Sequence, residues 1–301
     1  RDNAYHPVRD YLDSLVWDGN PRLYNWLSVC LGAEHNKYSE LVGTKWLVGA
    51  VARVMRPGVK NDCVLILEGS QGLGKSTVFE ILGGEWCSDT QFTIGDKDGY
   101  QQMLGVWIIE LAELDSFNKA ESTRAKSFFG SCTDRYRPPY GKRVEEFERQ
   151  CVFAGTTNQD AYFKDPTGNR RYWPIKATKI DTAMLRRARD QLFAEAYQLF
   201  KQGEVWHVRE DEAHLFGKEQ VDRFMADAWE ERIAEWLNEP ERRHRKNFSM
   251  GNIFEDALSM LPMTWKPPEQ TRLGMIMTRL GYKKVRARDT ATGDRSWMYQ
   301  R

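Results

Sequence analysis

The stretch Cys63–Leu82, CVLILEGSQGLGKSTVFEIL, decides how this chain is read. Its opening CVLIL is a short apolar run of the kind that forms a buried strand. Gly69, Gly72 and Gly74 follow in quick succession. Glycine reaches backbone angles that other residues avoid, so a tight loop is expected here. KSTVFEIL then predicts a helix that begins at Lys75 and stops at Gly83-Gly84. Between strand and helix, Gly69–Ser76 fits G-x-x-x-x-G-K-[ST], the phosphate-loop pattern. The pattern alone recurs by chance, but a strand before it and a helix after it are the context its chemistry requires. The curled backbone aims N–H groups at phosphate oxygens, and the helix N-terminus adds its positive end. Lys75 brings a charge near the β and γ phosphates, and Ser76 offers a hydroxyl to Mg²⁺. The expected nucleotide contacts are Gly69, Ser70, Gln71, Gly72, Leu73, Gly74, Lys75, Ser76 and Thr77. The expected ligands are ATP and Mg²⁺.

Two further strands read outward from this one. Val106–Leu114, VWIIELAEL, places Glu110 directly after an apolar run and Glu113 three residues on. A carboxylate in that position is poorly explained by packing, because acids are rarely buried unpaired. Glu110 is expected in the Mg²⁺ shell with Ser76, and Glu113 is the candidate for polarising the attacking water; the two roles are interchangeable at this level. Cys151–Asn158, CVFAGTTN, is a third strand ending in Thr156, Thr157 and Asn158. A polar group at that tip, Asn158 above all, can hold the attacking water or the γ-phosphate. Apolar strands separated by helical stretches indicate an α/β fold with a parallel sheet.

Two basic segments lie around the third strand. Arg135–Glu148, RYRPPYGKRVEEFE, reads as hairpin flanks around a Pro/Gly turn. Tyr140, Lys142 and Arg143 fall at its tip, where cations suit a phosphate backbone and an aromatic ring can stack on a base. Gly168–Ile175, GNRRYWPI, sets Arg170 and Arg171 side by side at the mouth of another strand. A guanidinium offers a rigid fork of donors matched to phosphate oxygens. The plain alternative is an ion pair with an acid such as Asp165.

The order of phosphate loop, acidic strand, basic hairpin, Asn-tipped strand and arginine pair resembles the superfamily-3 helicases, a branch of the AAA+ ATPases. More closely, nearly the whole chain resembles the virulence-associated protein E family of phages and prophages. The matching segments are YHPVRDYLDSLVWDGNPRL at 5–23, LEGSQGLGKST, WIIELAEL, DRYRPPYG, CVFAGTTN and GNRRYWPI. The resemblance implies a P-loop AAA+ core in a replication protein, acting as a homo-oligomeric ring such as a hexamer, with active sites shared between subunits. It implies a pore hairpin that grips single-stranded DNA through Tyr140, Lys142 and Arg143. It implies an arginine finger, with Arg171 preferred, Arg170 as a second phosphate contact or interface anchor, and the reverse order open. Many AAA+ proteins carry adjacent Asp-Glu at the second strand; here the acids are spaced as Glu110-Leu111-Ala112-Glu113. Lys75, Glu110, Glu113, Asn158, Arg170 and Arg171 are thus the catalytic candidates. No primase signature is visible, so that activity is not carried over.

The flanks complete the organisation. Residues 1–58 read as an N-terminal helical region, with LYNWLSVCLG and KYSELVGTKWLVGAVARVM at helical spacing. The P-loop ATPase core is expected over 59–205 and a helical lid or linker over 206–240, including one acidic helix from about Asp211 to Leu237. The last segment, 241–301, reads as a winged-helix-like module: two helices, SMGNIFEDALSML and EQTRLGMIMTRLGY, then a basic hairpin. It carries 13 Lys+Arg against 6 Asp+Glu, a balance of +7, while the rest carries 31 against 37. A basic tail on a mildly acidic body points to an anionic partner, here DNA.

Composition excludes other classes. The chain is 41% hydrophobic and 29% charged, with no apolar run near the roughly 18 residues a membrane span needs. Five cysteines without C-x-x-C argue against a disulfide framework or thiolate metal site. A location in the cytoplasm of a bacterial host is expected. Arg1 in place of Met suggests a piece of a longer protein. The expected function is an ATP-hydrolysing DNA translocase or helicase of a mobile element. The alternative is an ATP-gated DNA- or protein-binding regulator without unwinding activity. A small-molecule kinase has little support, since the basic hairpin and basic tail are superfluous to it.

Overall fold

A computed structural model describes residues 6–90, 96–111, 124–125, 127–138, 141–159, 162–163, 169–223, 228–243, 245, 247–288 and 295–301. The chain divides into two units, 1–224 and 225–301. The stretch 206–240, expected as one lid, contributes to both.

The first unit is built on the parallel sheet expected from its strands. The strands are β1 (Val64–Glu68), β2 (Cys87–Ser88), β3 (Ile108–Leu111), β6 (Val152–Thr157) and β7 (Tyr172–Lys176), in spatial order β2-β3-β6-β1-β7. Each neighbouring pair is parallel. Apart from polar residues toward their carboxyl ends, β1, β3, β6 and β7 are apolar, because both faces are covered. Within β1, Leu65 and Leu67 pack into one core and Val64 and Ile66 into the other. Pro174 interrupts no ladder because β7 is the edge strand.

Helices α1 (Pro7–Ser14), α2 (Trp26–Leu31), α3 (Lys37–Met55), α4 (Lys75–Gly83) and α5 (Lys97–Gln102) precede or intersperse these strands. The 1–58 region shares its hydrophobic core with the sheet. Its α3 is apolar on every side and buried accordingly. Asn36 and Ser39 close its N-terminus as a capping box. Two buried indoles fasten α3 to the sheet: Trp46 donates to the Phe153 carbonyl (3.2 Å), and Trp107 of the β3 approach donates to the Ala50 carbonyl (2.9 Å). After β7, α6 (Thr182–Lys201) is capped by Asp181, whose carboxylate accepts from the Met184 amide.

The basic segment forms the expected hairpin: β4 (Thr133–Tyr136) and β5 (Glu145–Glu148) pair antiparallel, Thr133 opposite Glu148 and Tyr136 opposite Glu145. Its inward residues are Asp134 and Tyr136, and Asp134 is paired with buried Arg149.

The expected single helix over 211–237 is instead two, α7 (Ala213–Asp222) and α8 (Ala228–Asn238). Just past the end of α7, the Arg223 carbonyl accepts the amides of Tyr162 and Phe163, at 3.1 and 3.2 Å.

The second unit contains α8, β8 (Asn247–Ser249), α9 (Met250–Asn252, continuing as a π turn over Ile253–Ala257), α10 (Pro267–Arg279), β9 (Lys283–Arg288) and β10 (Arg295–Gln300). Ser249 caps α9 as expected, accepting from the Asn252 amide at 3.1 Å. The strands form an antiparallel sheet in the order β8-β10-β9 around a core that includes Trp236, Phe248, Phe254, Ile276 and Tyr299. Among the described residues, no helix is long and apolar enough to cross a membrane.

Candidate functional site

The loop between β1 and α4 has the backbone that its glycines predicted. Gly69 has φ 150°, and a Cβ there would meet the Ala177 carbonyl oxygen at 2.8 Å. That neighbour is backbone and cannot swing away, so only glycine fits. Gly74 caps α4 with φ 91°, a left-handed conformation that a side chain strains.

Lys75 opens α4, is 7% exposed, and has all three ammonium donors used. It donates to the Gly69 carbonyl (2.7 Å), the Ser70 carbonyl (2.9 Å) and Asn158 Oδ1 (2.8 Å). Burial lowers its pKa, opposed by the charge of Glu110. Asn158 reaches it because β6 lies immediately beside β1 in the sheet.

Glu110 sits on β3, beyond β6, and is 2% exposed. Its Oε1 accepts from Ser76 Oγ (2.6 Å) and Thr156 Oγ1 (3.0 Å). Its Oε2 has no hydrogen-bond partner among the described residues. Burial raises its pKa, and the two hydroxyl bonds pull it partly back. A buried carboxylate oxygen without a partner is costly, and an ion is one of the few things that relieves it. The donor set of an inner carboxylate and an adjacent hydroxyl therefore fits a hard divalent cation, with Ser76 and Glu110 as its holders.

Ser76 and Thr77 join Gln71, Gly72, Leu73, Gly74, Lys75, Thr156, Thr157 and Asn158 in lining one cleft of about 460 Å³. Its walls are thus the phosphate loop and the tip of β6. The site opens at the carboxyl ends of parallel strands, where open α/β sheets bind their ligands.

Other expected residues lie elsewhere. Arg170 and Arg171 precede β7, whose first residue Tyr172 is level with Val64 at the start of β1. The phosphate loop follows the other end of β1. At about 3.3 Å per residue, the arginines are displaced along the strands by roughly 15 Å from the loop of their own chain. Arg171 Nε lies 3.1 Å from Asp62 Oδ2, a close ion pair whose angle falls short of a hydrogen bond. Asp62 is the acid paired with Arg171 among the described residues; Asp165 lies outside them. Arg170 is exposed and lines a cavity of about 520 Å³ together with Lys60, His207 and Arg209. Lys142 and Arg143 are exposed between β4 and β5. Glu113 and Tyr140 also lie outside the described residues.

Sequence reasoning missed one buried cluster beside the loop. Glu68, the last residue of β1, is 1% exposed and pairs with Arg223, which also meets Glu219 (2.6 Å). Tyr162 donates its hydroxyl to Glu68 Oε1 at 2.9 Å. Burial opposes the Arg223 charge, but the bonds to Glu68 outweigh it and raise its pKa. Nothing in the local pattern announces these pairings. The acid ending CVLILE was the sole signal.

Two A-form apo structures of the NrS-1 C-terminal region are similar to this chain. One superposes with a TM-score of 0.52 at 16% identity, covering 96% of this chain and 77% of that one. The other gives 0.50 at 13% identity, covering 96% and 78%. At such identities the likeness concerns the fold. No curated protein matches the sequence. The family description that does match, the virulence-associated protein E-like domain, spans residues 12–225 and so contains the whole phosphate-loop site. With more than half of its length matched, the chain belongs to the virulence-associated protein E-like family.

Proposed function

We propose that the chain is a Mg²⁺-dependent ATPase that moves along DNA in a phage or prophage replication system, working as a ring whose neighbouring subunits share active sites. The observation that carries this reading is the meeting of Lys75, Ser76, Glu110 and Asn158 at the carboxyl ends of three adjacent strands. In this reading the loop amides and Lys75 bind the phosphates of ATP. Ser76 and Glu110 hold Mg²⁺, which when bound neutralises charge on the phosphate oxygens. Asn158, released from Lys75 when a phosphate takes its place, orients the attacking water, with Glu113 as the acid that polarises it. The order β2-β3-β6-β1-β7, with the Asn-tipped strand between loop strand and acidic strand, supports the P-loop AAA+ assignment.

The arginine pair sits too far along the strands to serve its own loop, which supports a role toward a neighbour's nucleotide. Arg171 is engaged by Asp62 and Arg170 is exposed, so Arg170 is now the preferred finger and Arg171 its anchor. This reverses the preference drawn from the sequence. Exposed Lys142 and Arg143 support DNA contact by the hairpin. The order helix, strand, helix, helix, hairpin in residues 225–301 supports a winged-helix-like module.

Subunit mixing tests this reading. Lys75→Ala and Arg170→Ala subunits are each expected to be inactive alone and to regain turnover when mixed, because a mixed interface restores one intact site. A mixture that stays inactive while wild type turns over ATP contradicts shared sites. Turnover by wild type that single-stranded DNA leaves unchanged favours an ATP-gated regulator instead.

A further inference from the structure

The second unit has an exposed face that the phosphate site does not account for. Trp297 on β10 is a large aromatic residue that is 57% exposed. Directly opposite it on β9 stands Arg286, which is exposed. Diagonally across, the Lys284 ammonium lies over the indole, 5.6 Å from the ring centroid. Lys283, also exposed, lies on the same strand but on its other face, since successive side chains alternate. The two strands together carry Lys283, Lys284, Arg286, Arg288 and Arg295 and no acid.

We infer that this ribbon is a binding site for single-stranded nucleic acid, with Trp297 stacking on a base and Lys284 and Arg286 holding the flanking phosphates. Cations on two strands that carry no acid match a polyanion, and an exposed ring among them matches a base. The bases of a duplex are stacked on one another, so a ring standing on a sheet finds a free base face in a single strand. A second copy of the chain fits less well. Strand β9 is the edge of its sheet, and lysines on an edge are a feature that discourages strand addition. The proposal shares its class of partner with the proposed function but uses neither the ATP site nor the β4–β5 hairpin.

The test measures binding of a labelled oligothymidylate to the full chain at several salt concentrations. Trp297→Ala is expected to weaken binding on the order of 10-fold and to leave the salt dependence as in wild type. Trp297→Phe keeps most of the affinity. Lys284→Ala/Arg286→Ala is expected to reduce the slope of log K against log salt by about 1.4, roughly 0.7 for each phosphate contact. All these positions are exposed, and unchanged melting curves confirm folding. ATP turnover without DNA, read on the same preparations, stays at the wild-type level, so a failure of the ATPase reading shows separately. Unchanged affinity in Trp297→Ala overturns the assignment. So does a variant that loses self-association and keeps its oligonucleotide affinity, which would make the face an interface between copies. Equal loss for single strand and duplex in Trp297→Ala overturns the stacking role.

Discussion

Lys75 Nζ and Asn158 Oδ1 lie 2.8 Å apart, joining the phosphate loop to the tip of β6. The same ammonium spends its other donors on carbonyls of its own loop. A bound phosphate has to replace these partners, and the Asn158 amide is then free to orient a nucleophile. Asn158→Ala is therefore expected to leave ATP affinity within a few-fold of wild type and to lower kcat by about 10²–10³, the usual loss for one well-placed polar group. Parallel measurement of ATP binding and steady-state turnover checks this. A large loss of affinity with kcat retained would assign Asn158 to ground-state binding instead.

Glu110 makes a pH-dependent prediction. Burial raises its pKa above the ordinary carboxylate value of 4.5, so the folded protein favours the protonated form. The stability penalty of its charge is absent below about pH 4.5 and grows to its full size as pH rises through the folded pKa. Glu110→Gln keeps an acceptor for Ser76 and Thr156 without the charge. It is expected to raise the melting temperature of the ligand-free protein at pH 8 by roughly 2–4 °C, about 1 kcal/mol, with the gain shrinking toward pH 4.5. The same substitution is expected to remove any stabilisation by Mg²⁺ with ATP. Melting curves across pH, with and without Mg²⁺-ATP, read both effects.

The arginine pair separates anchor from finger. Arg170→Ala is expected to lower turnover by about 10³-fold or more with ATP binding retained. Asp62→Ala frees Arg171, and a smaller, roughly tenfold loss is expected from misplacement rather than removal. Arg171→Ala should behave like Asp62→Ala. A turnover loss confined to Arg171→Ala, with Arg170→Ala active, restores Arg171 as the finger.

The Glu68–Arg223 pair ties the end of β1 to the end of α7. Removing Arg223 takes the paired cation away from a buried carboxylate, so Arg223→Met is expected to cost about 3–5 kcal/mol of stability. Glu68→Leu/Arg223→Met removes both charges and should recover much of that loss. Chemical denaturation of the single and double variants measures the coupling. A double variant whose loss equals the sum of the two single losses would show that the charges act independently.

What could be read from the sequence was what is local in it. The phosphate loop is a consecutive stretch whose spacing encodes its own geometry, and Gly69, Gly74, Lys75 and Ser76 stand where that geometry puts them. The strands β1, β3 and β6 were legible because burial on both faces makes the run before each polar carboxyl end apolar. Long-range pairings were not legible. Thr156 meets Glu110 only because β6 lies beside β3, and Asp62 meets Arg171 only because β1 lies beside β7. The bonds from the Tyr162 and Phe163 amides to the Arg223 carbonyl were hidden for the same reason, because their partners are far apart in sequence.

The most direct test of the ATPase reading is ATP hydrolysis by the wild-type chain and by Lys75→Ala, with Mg²⁺ and with EDTA. Wild type with Mg²⁺ is expected to turn over ATP, and either EDTA or Lys75→Ala to reduce turnover to background while the variant melts like wild type. Turnover that persists in Lys75→Ala, or no ATP binding by wild type in the presence of Mg²⁺, would contradict the account.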